Sequence, residues 1–108
     1  MRKNQPQPES NWLLLLHQGD HDALALLMGK YYAILYNYAI SFTLDEALVK
    51  DCIQEVFIDL WQRRENALSI LSPKYYLLRA VKNKILKSIC RQGLFAAIAL
   101  VYKGERLG

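Results

Sequence analysis

The chain has 108 residues, 53% of them hydrophobic, which is enough for one packed domain and too few for two. No apolar run approaches the roughly 20 residues that cross a bilayer, and residues 1–10 lack the apolar centre of a secretion signal. A soluble cytoplasmic protein with a loose polar N-terminal tail, and no membrane insertion, is therefore expected. The net charge of +4 is unevenly spread: residues 41–65 carry six acids against Lys50, Arg63 and Arg64, whereas residues 66–104 carry seven cations and no acid. Such a split points to two partners of opposite character.

Four helices are predicted, without strand-like alternation or internal repeats, so the fold class is all-α, a bundle of about four helices. The first starts after Ser10, carries Trp12, Leu13 and Leu16, and ends before Gly19, a residue that tolerates the left-handed turn closing a helix. The second is capped by Asp20 and runs to about Ile40, with Leu24, Leu27, Tyr31, Ile34, Leu35 and Tyr38 at three- and four-residue steps. Gly29 weakens it slightly. His17 and His21, with Asp20 and Asp22 nearby, would suit a metal on one continuous helix, but Gly19 breaks that geometry. The reading is a helix junction, with no metal and no cofactor.

The third helix begins at Thr43-Leu-Asp-Glu46, a capping-box pattern, and runs to about Asn66. Val49, Ile53, Val56, Phe57 and Leu60 form its core stripe. Asp51, Gln54, Glu55 and Ile58 recur at i, i+3, i+4 and i+7 on another face, setting two carboxylates and an amide around an apolar residue. A partner helix bearing arginines could dock there. On spacing alone, a solvated face carries more weight.

Ser72 and Pro73 open the fourth helix as N-cap and first helical residue, and it spans residues 73–92 with Gly93 just past its end. Leu78, Val81, Ile85 and Ile89 form its core stripe. Tyr75, Tyr76, Arg79, Lys82, Asn83 and Lys87 lie opposite, combining cations for phosphate, rings for stacking and an amide for a base edge. A solvated face would more often interleave acids among its lysines, so nucleic acid outweighs the bland reading here. The apolar run at residues 94–102 has no assigned role; it is open to packing as a short fifth helix or to self-association.

Cys52 and Cys90 each fall inside a predicted helix without Cys-x-x-Cys spacing, which argues against a disulfide framework and against a four-ligand zinc site. Both are expected to be small hydrophobes in a reducing cytoplasm. Asp45 with Glu46, and Arg63-Arg64-Glu65, come without a Gly-rich turn or a nucleophile–base pair, so no enzyme is expected.

Three blocks carry a family resemblance: Gly19-Asp-His-Asp-Ala-Leu-Ala-Leu-Leu-Met-Gly-Lys-Tyr31, Asp51-Cys-Ile-Gln-Glu-Val-Phe-Ile-Asp-Leu-Trp61 and Tyr76-Leu-Leu-Arg-Ala-Val-Lys-Asn83. In order and spacing they resemble the conserved region 2 domain of extracytoplasmic-function sigma factors, over about residues 11–91. The run of aromatics and lysines is similar to the FecI-like subgroup. The resemblance implies that Asp51, Gln54, Glu55 and Ile58 dock on the clamp-helix coiled coil of the largest subunit of core RNA polymerase. It also implies that the fourth helix and the loop before it, residues 62–71, read the minus-ten element on the non-template strand of promoter DNA and hold a flipped base.

In that scheme Asn83 matches the base-contacting asparagine and Arg79 the helix-four arginine, while Lys82, Lys84, Lys87 and Arg91 hold phosphates and an anti-sigma factor is an expected partner. Complete members carry a second, helix-turn-helix domain. Residues 93–108 resemble neither that domain nor the linker to it, so autonomous promoter recognition is not expected. The alternative is a shortened sigma-like module that binds polymerase or an anti-sigma factor without opening promoters.

Overall fold

In the computed structural model, which describes residues 9–102, the chain turns sharply at Gly19, between α1 (Glu9–His17) and α2 (His21–Ala39). Gly19 has φ of +88°, and it is the left-handed residue of a doubly bonded C-cap: its N–H donates to the Leu16 carbonyl (2.9 Å) and the Asp20 N–H to Leu15 (3.0 Å). That geometry satisfies two carbonyls left over at the end of α1. Asp20 then caps α2, its carboxylate accepting from the Asp22 N–H at 2.9 Å. The expected junction is therefore present, and the two histidines flanking it, both exposed, reach out to the segment around residues 61–64. His17 Nδ1 lies 3.3 Å from the Arg64 carbonyl, and the His21 ring stacks on Trp61 at 4.6 Å. The polar tail expected at residues 1–10 lies, up to residue 8, outside the described residues.

The buried stripe of α2 is Ala23, Leu27, Tyr31, Leu35 and Ala39. The expected stripe is displaced: Ile34 is exposed, and Leu24 and Tyr38 sit at the rim. Two alanines, Ala23 and Ala39, belong to the buried stripe and are as fully covered as Leu27 and Leu35. α3 (Glu46–Gln62) starts later than the capping-box pattern predicts. Asp45 is the N-cap and accepts from the Leu48 N–H at 3.1 Å, whereas Thr43 Oγ1 accepts from the Asp45 N–H at 3.2 Å. Glu46 instead meets the Tyr36 hydroxyl of α2, and this hydrogen bond pushes the phenol above its ordinary pKa. Val49, Ile53, Val56, Phe57 and Leu60 are buried as expected, and Cys52 joins them. Burial pushes the Cys52 thiol up.

α3 ends at Gln62 rather than near Asn66, and a 3-10 segment, Arg64–Ser69, follows with Ala67 buried against the core. This segment packs on α1. Ser72 Oγ then accepts from the Tyr75 N–H at 3.4 Å, and α4 begins at Pro73. Leu77, Val81 and Ile85 are its fully buried residues; Leu78 and Ile89 are only partly covered. Two expectations fail at the far end of α4. The helix does not stop at Gln92 but continues through Gly93 to Tyr102, so residues 94–102 extend α4 rather than forming a separate fifth helix. Cys90 is exposed rather than packed. Gly93 interrupts neither the hydrogen bonding nor the helical φ, because no proline or second breaker follows and the next residues, Leu, Phe and Ala among them, propagate helix.

The all-α reading holds, with four α-helices and one 3-10 turn among the described residues. Gly19 is the clearest test of its punctuation. A Cβ there would come no closer than 3.9 Å to another residue, so the backbone conformation alone opposes substitution. Gly19→Ala is expected to lower the unfolding free energy in urea by about 1–2 kcal/mol, and Gly19→Asn by less, since asparagine tolerates the left-handed region.

Candidate functional site

α3 and α4 lie side by side, and a groove of about 600 Å³ runs between them. Tyr76, Arg79, Asn83, Lys84, Lys87 and Arg91 line it from α4; Glu55, Asp59 and Arg63 line it from the α3 side. Six of the eight residues expected to meet nucleic acid thus share one concave surface. Tyr75 and Lys82 stand outside it, although Tyr75 is two-thirds exposed and Lys82 half-buried on α4. The four-residue steps of Tyr76, Ala80, Lys84 and Ser88, and of Arg79, Asn83, Lys87 and Arg91, wind these groups along the helix side nearest α3.

A smaller cavity of about 200 Å³ adjoins the groove at the start of α4, walled by Leu60, Arg63, Asn66, Ser69, Ile70 and Tyr76. Arg63 and Tyr76 belong to both hollows. The 3-10 segment is tied together by Ser69 Oγ, which donates to the Asn66 carbonyl at 2.7 Å, and by Arg64, which donates to the Trp61 carbonyl at 3.0 Å. The Arg64 guanidinium also lies 4.3 Å from the Trp61 ring centroid. Arg63 therefore stands at the start of a braced turn, facing the cavity that Tyr76 walls from α4.

Asp51, Gln54, Glu55 and Ile58 are all exposed on α3, Ile58 at 47%. Of these, Glu55 also reaches the groove. Its carboxylate is 3.7 Å from Lys84 Nζ, and Asp59 is closer, at 2.8 Å. The Asp59 hydrogen bond, assisted by its charge and by Glu55, raises the Lys84 amine above its ordinary value. Lys84 is thus engaged across the helix pair.

Asp59 was missed as a groove residue at the sequence level, and Arg63 was expected only as part of the loop at residues 62–71. The signal was present: Glu55, Asp59 and Arg63 follow one another at four-residue steps and so share one side of α3. The groove offers cations, an amide, an aromatic ring and, from the α3 side, two carboxylates. Among the described residues no group of three or more potential metal ligands occurs, and no helix is long and apolar enough to cross a membrane.

A family model described as Sigma-70 region 2 matches residues 27–94, more than half of the chain, and spans most of α2, all of α3 and the groove-lining part of α4. No curated protein and no solved structure matches the chain.

The Lys84 pair is partly solvent-exposed, so Lys84→Gln is expected to lower stability by less than about 1 kcal/mol. Because the folded amine is raised, its contribution is complete below the usual lysine value of 10.5 and is lost as pH rises through the raised value. Urea unfolding should therefore give a difference between wild type and variant that is steady from neutral pH upward and closes in strong alkali.

Proposed function

Since the chain belongs to the sigma-70 region 2 family, non-enzymatic domains of transcription initiation that bind RNA polymerase and melt promoters, we propose that it performs this role in the cytoplasm as part of an extracytoplasmic-function sigma factor of FecI-like type. Asp51, Gln54, Glu55 and Ile58 dock on the clamp coiled coil of the largest core subunit. The groove between α3 and α4 carries the non-template strand of the minus-ten element. The observation that carries this reading is the placement of Tyr76, Arg79, Asn83, Lys87 and Arg91 along one groove, opening beside a cavity of about 200 Å³ at the turn before α4.

The division of labour follows from the chemistry. Arg79, Lys87 and Arg91 neutralise phosphates, a contribution that is indifferent to sequence and weakens as salt rises. Asn83 offers both a donor and an acceptor to a base edge. The cavity beside Arg63, Asn66 and Tyr76 takes the flipped base. Extruding a base costs a few kcal/mol, and stacking on an aromatic side chain returns about 1–3 kcal/mol. No covalent step is needed: capture of the open strand shifts the duplex toward its melted form. Tyr75 and Lys82, outside the groove, reach DNA that lies beyond its rim. An anti-sigma factor would silence the domain by covering either surface.

Two variants separate the surfaces. Asp51→Ala with Ile58→Ala is expected to weaken binding to core polymerase about tenfold or more in a pull-down titration, while single-strand binding stays at the wild-type level. Asn83→Ala is expected to reduce the preference for a minus-ten-like strand over a scrambled one by about 1–3 kcal/mol in fluorescence anisotropy. Unchanged preference would remove Asn83 from base reading.

A further inference from the structure

Cations do not have the groove to themselves. Glu55 and Asp59 stand on its α3 wall, and both carboxylates converge on Lys84, at 3.7 Å and 2.8 Å. The pair is open to water, with Lys84 28% exposed, Asp59 40% and Glu55 62%. Exposed ion pairs add little to stability, and the sealed apolar residues Val56, Leu77, Val81 and Ile85 already hold the two helices in the core. A carboxylate at the Lys84 level of a cationic groove has a second effect. It occupies an amine that would otherwise meet phosphate, and it repels the phosphate itself.

We propose that Asp59 is a positioning residue for nucleic-acid binding, an internal counterion that holds Lys84 while the groove is empty and yields it to a backbone phosphate when a strand enters. The inference rests on the groove being the path of the strand. Entry then exchanges one ion pair for another at Lys84, so that this lysine adds less net affinity than its position suggests. The groove discriminates against polyanions that cannot fill the rest of it, because Arg79, Lys87 and Arg91 must supply the attraction that displaces Asp59. Lys84 is suited to such an exchange: its ammonium sits on a flexible stem and can swing between acceptors without a fixed fork geometry.

The test is fluorescence anisotropy of the full chain with a labelled single-stranded oligodeoxynucleotide carrying a minus-ten-like sequence, between roughly 50 and 200 mM salt. Wild type, Asp59→Asn, Lys84→Gln and the double variant form one cycle, and Lys87→Gln with Arg91→Gln serves as the control on the groove. Asp59→Asn is expected to bind about three- to tenfold tighter, with a salt slope steeper by up to about 0.7, because the Lys84–phosphate contact then forms without freeing a carboxylate that takes up a cation of its own. Most of that gain should vanish when Lys84 is glutamine. A role confined to bracing the helices would lower the melting temperature and leave the slope unchanged. Unaltered or weaker binding by Asp59→Asn, or an equal gain with and without Lys84, overturns the inference. If the Lys87 and Arg91 changes fail to weaken wild-type binding, the groove is not the path of the strand, and the inference falls together with the reading beneath it.

Discussion

Val56 on α3 and Leu77, Val81 and Ile85 on α4 are closed to solvent, and once those apolar faces are committed every polar group on the two helices has a fixed place. Rotating α4 by one residue, about 100°, would carry Asn83 and Lys87 to the places of Lys82 and Leu86, outside the groove, and push Lys82 into the buried place of Val81. Burial of this stripe is thus the constraint on which both the exposed α3 face and the groove depend. The forces are ordinary: truncating a sealed leucine or isoleucine in such a core costs about 2–5 kcal/mol, far more than any surface ion pair in the domain contributes. The charged surfaces are consequences of the packing rather than contributors to it.

The polarity of the chain becomes a polarity in space through the same packing. The acids of α3 and the cations of α4 are separated in sequence, yet the groove brings the edge of one set against the edge of the other. Glu55 belongs to both, exposed beside Asp51 and Ile58 and also within reach of Lys84. Asp59, one turn further along, belongs to the groove alone. On the proposed reading, a partner seated on α3 and a strand held along α4 would therefore be neighbours that call on opposite charges.

Much of this architecture was legible from residues with a single physical role. Gly19 marked the end of α1 because a left-handed backbone suits glycine; Ser72-Pro73 marked the start of α4 because a hydroxyl can accept from the first turn and proline has no N–H to satisfy. Errors arose where two local chemistries competed. Thr43 and Asp45 can both cap, and it is Asp45 that accepts from the Leu48 N–H of the first turn, while Thr43 accepts from the Asp45 N–H just before α3. Gly93 can end a helix or be carried through one, and with good helix formers on both sides it was carried through. On α2, Ala23 and Ala39 are buried while the larger Ile34 is exposed, an arrangement invisible to a count of large hydrophobic side chains. The pairing of Lys84 was hidden for a similar reason: periodicity places a lysine on a face, but only the neighbouring helix supplies its carboxylates.

The central claim is that one groove, between α3 and α4, holds single-stranded DNA while the outer face of α3 stays free for another partner. Amide chemical-shift mapping of the domain titrated with a minus-ten-like single strand tests it most directly. Perturbations confined to Glu55, Asp59, Arg63, Asn66, Ser69, Ile70 and the α4 residues from Tyr75 to Arg91, with Asp51, Gln54 and Ile58 unmoved, are the predicted result. Perturbations centred on the outer face of α3, or on the exposed end of α4 beyond Gly93, would contradict it.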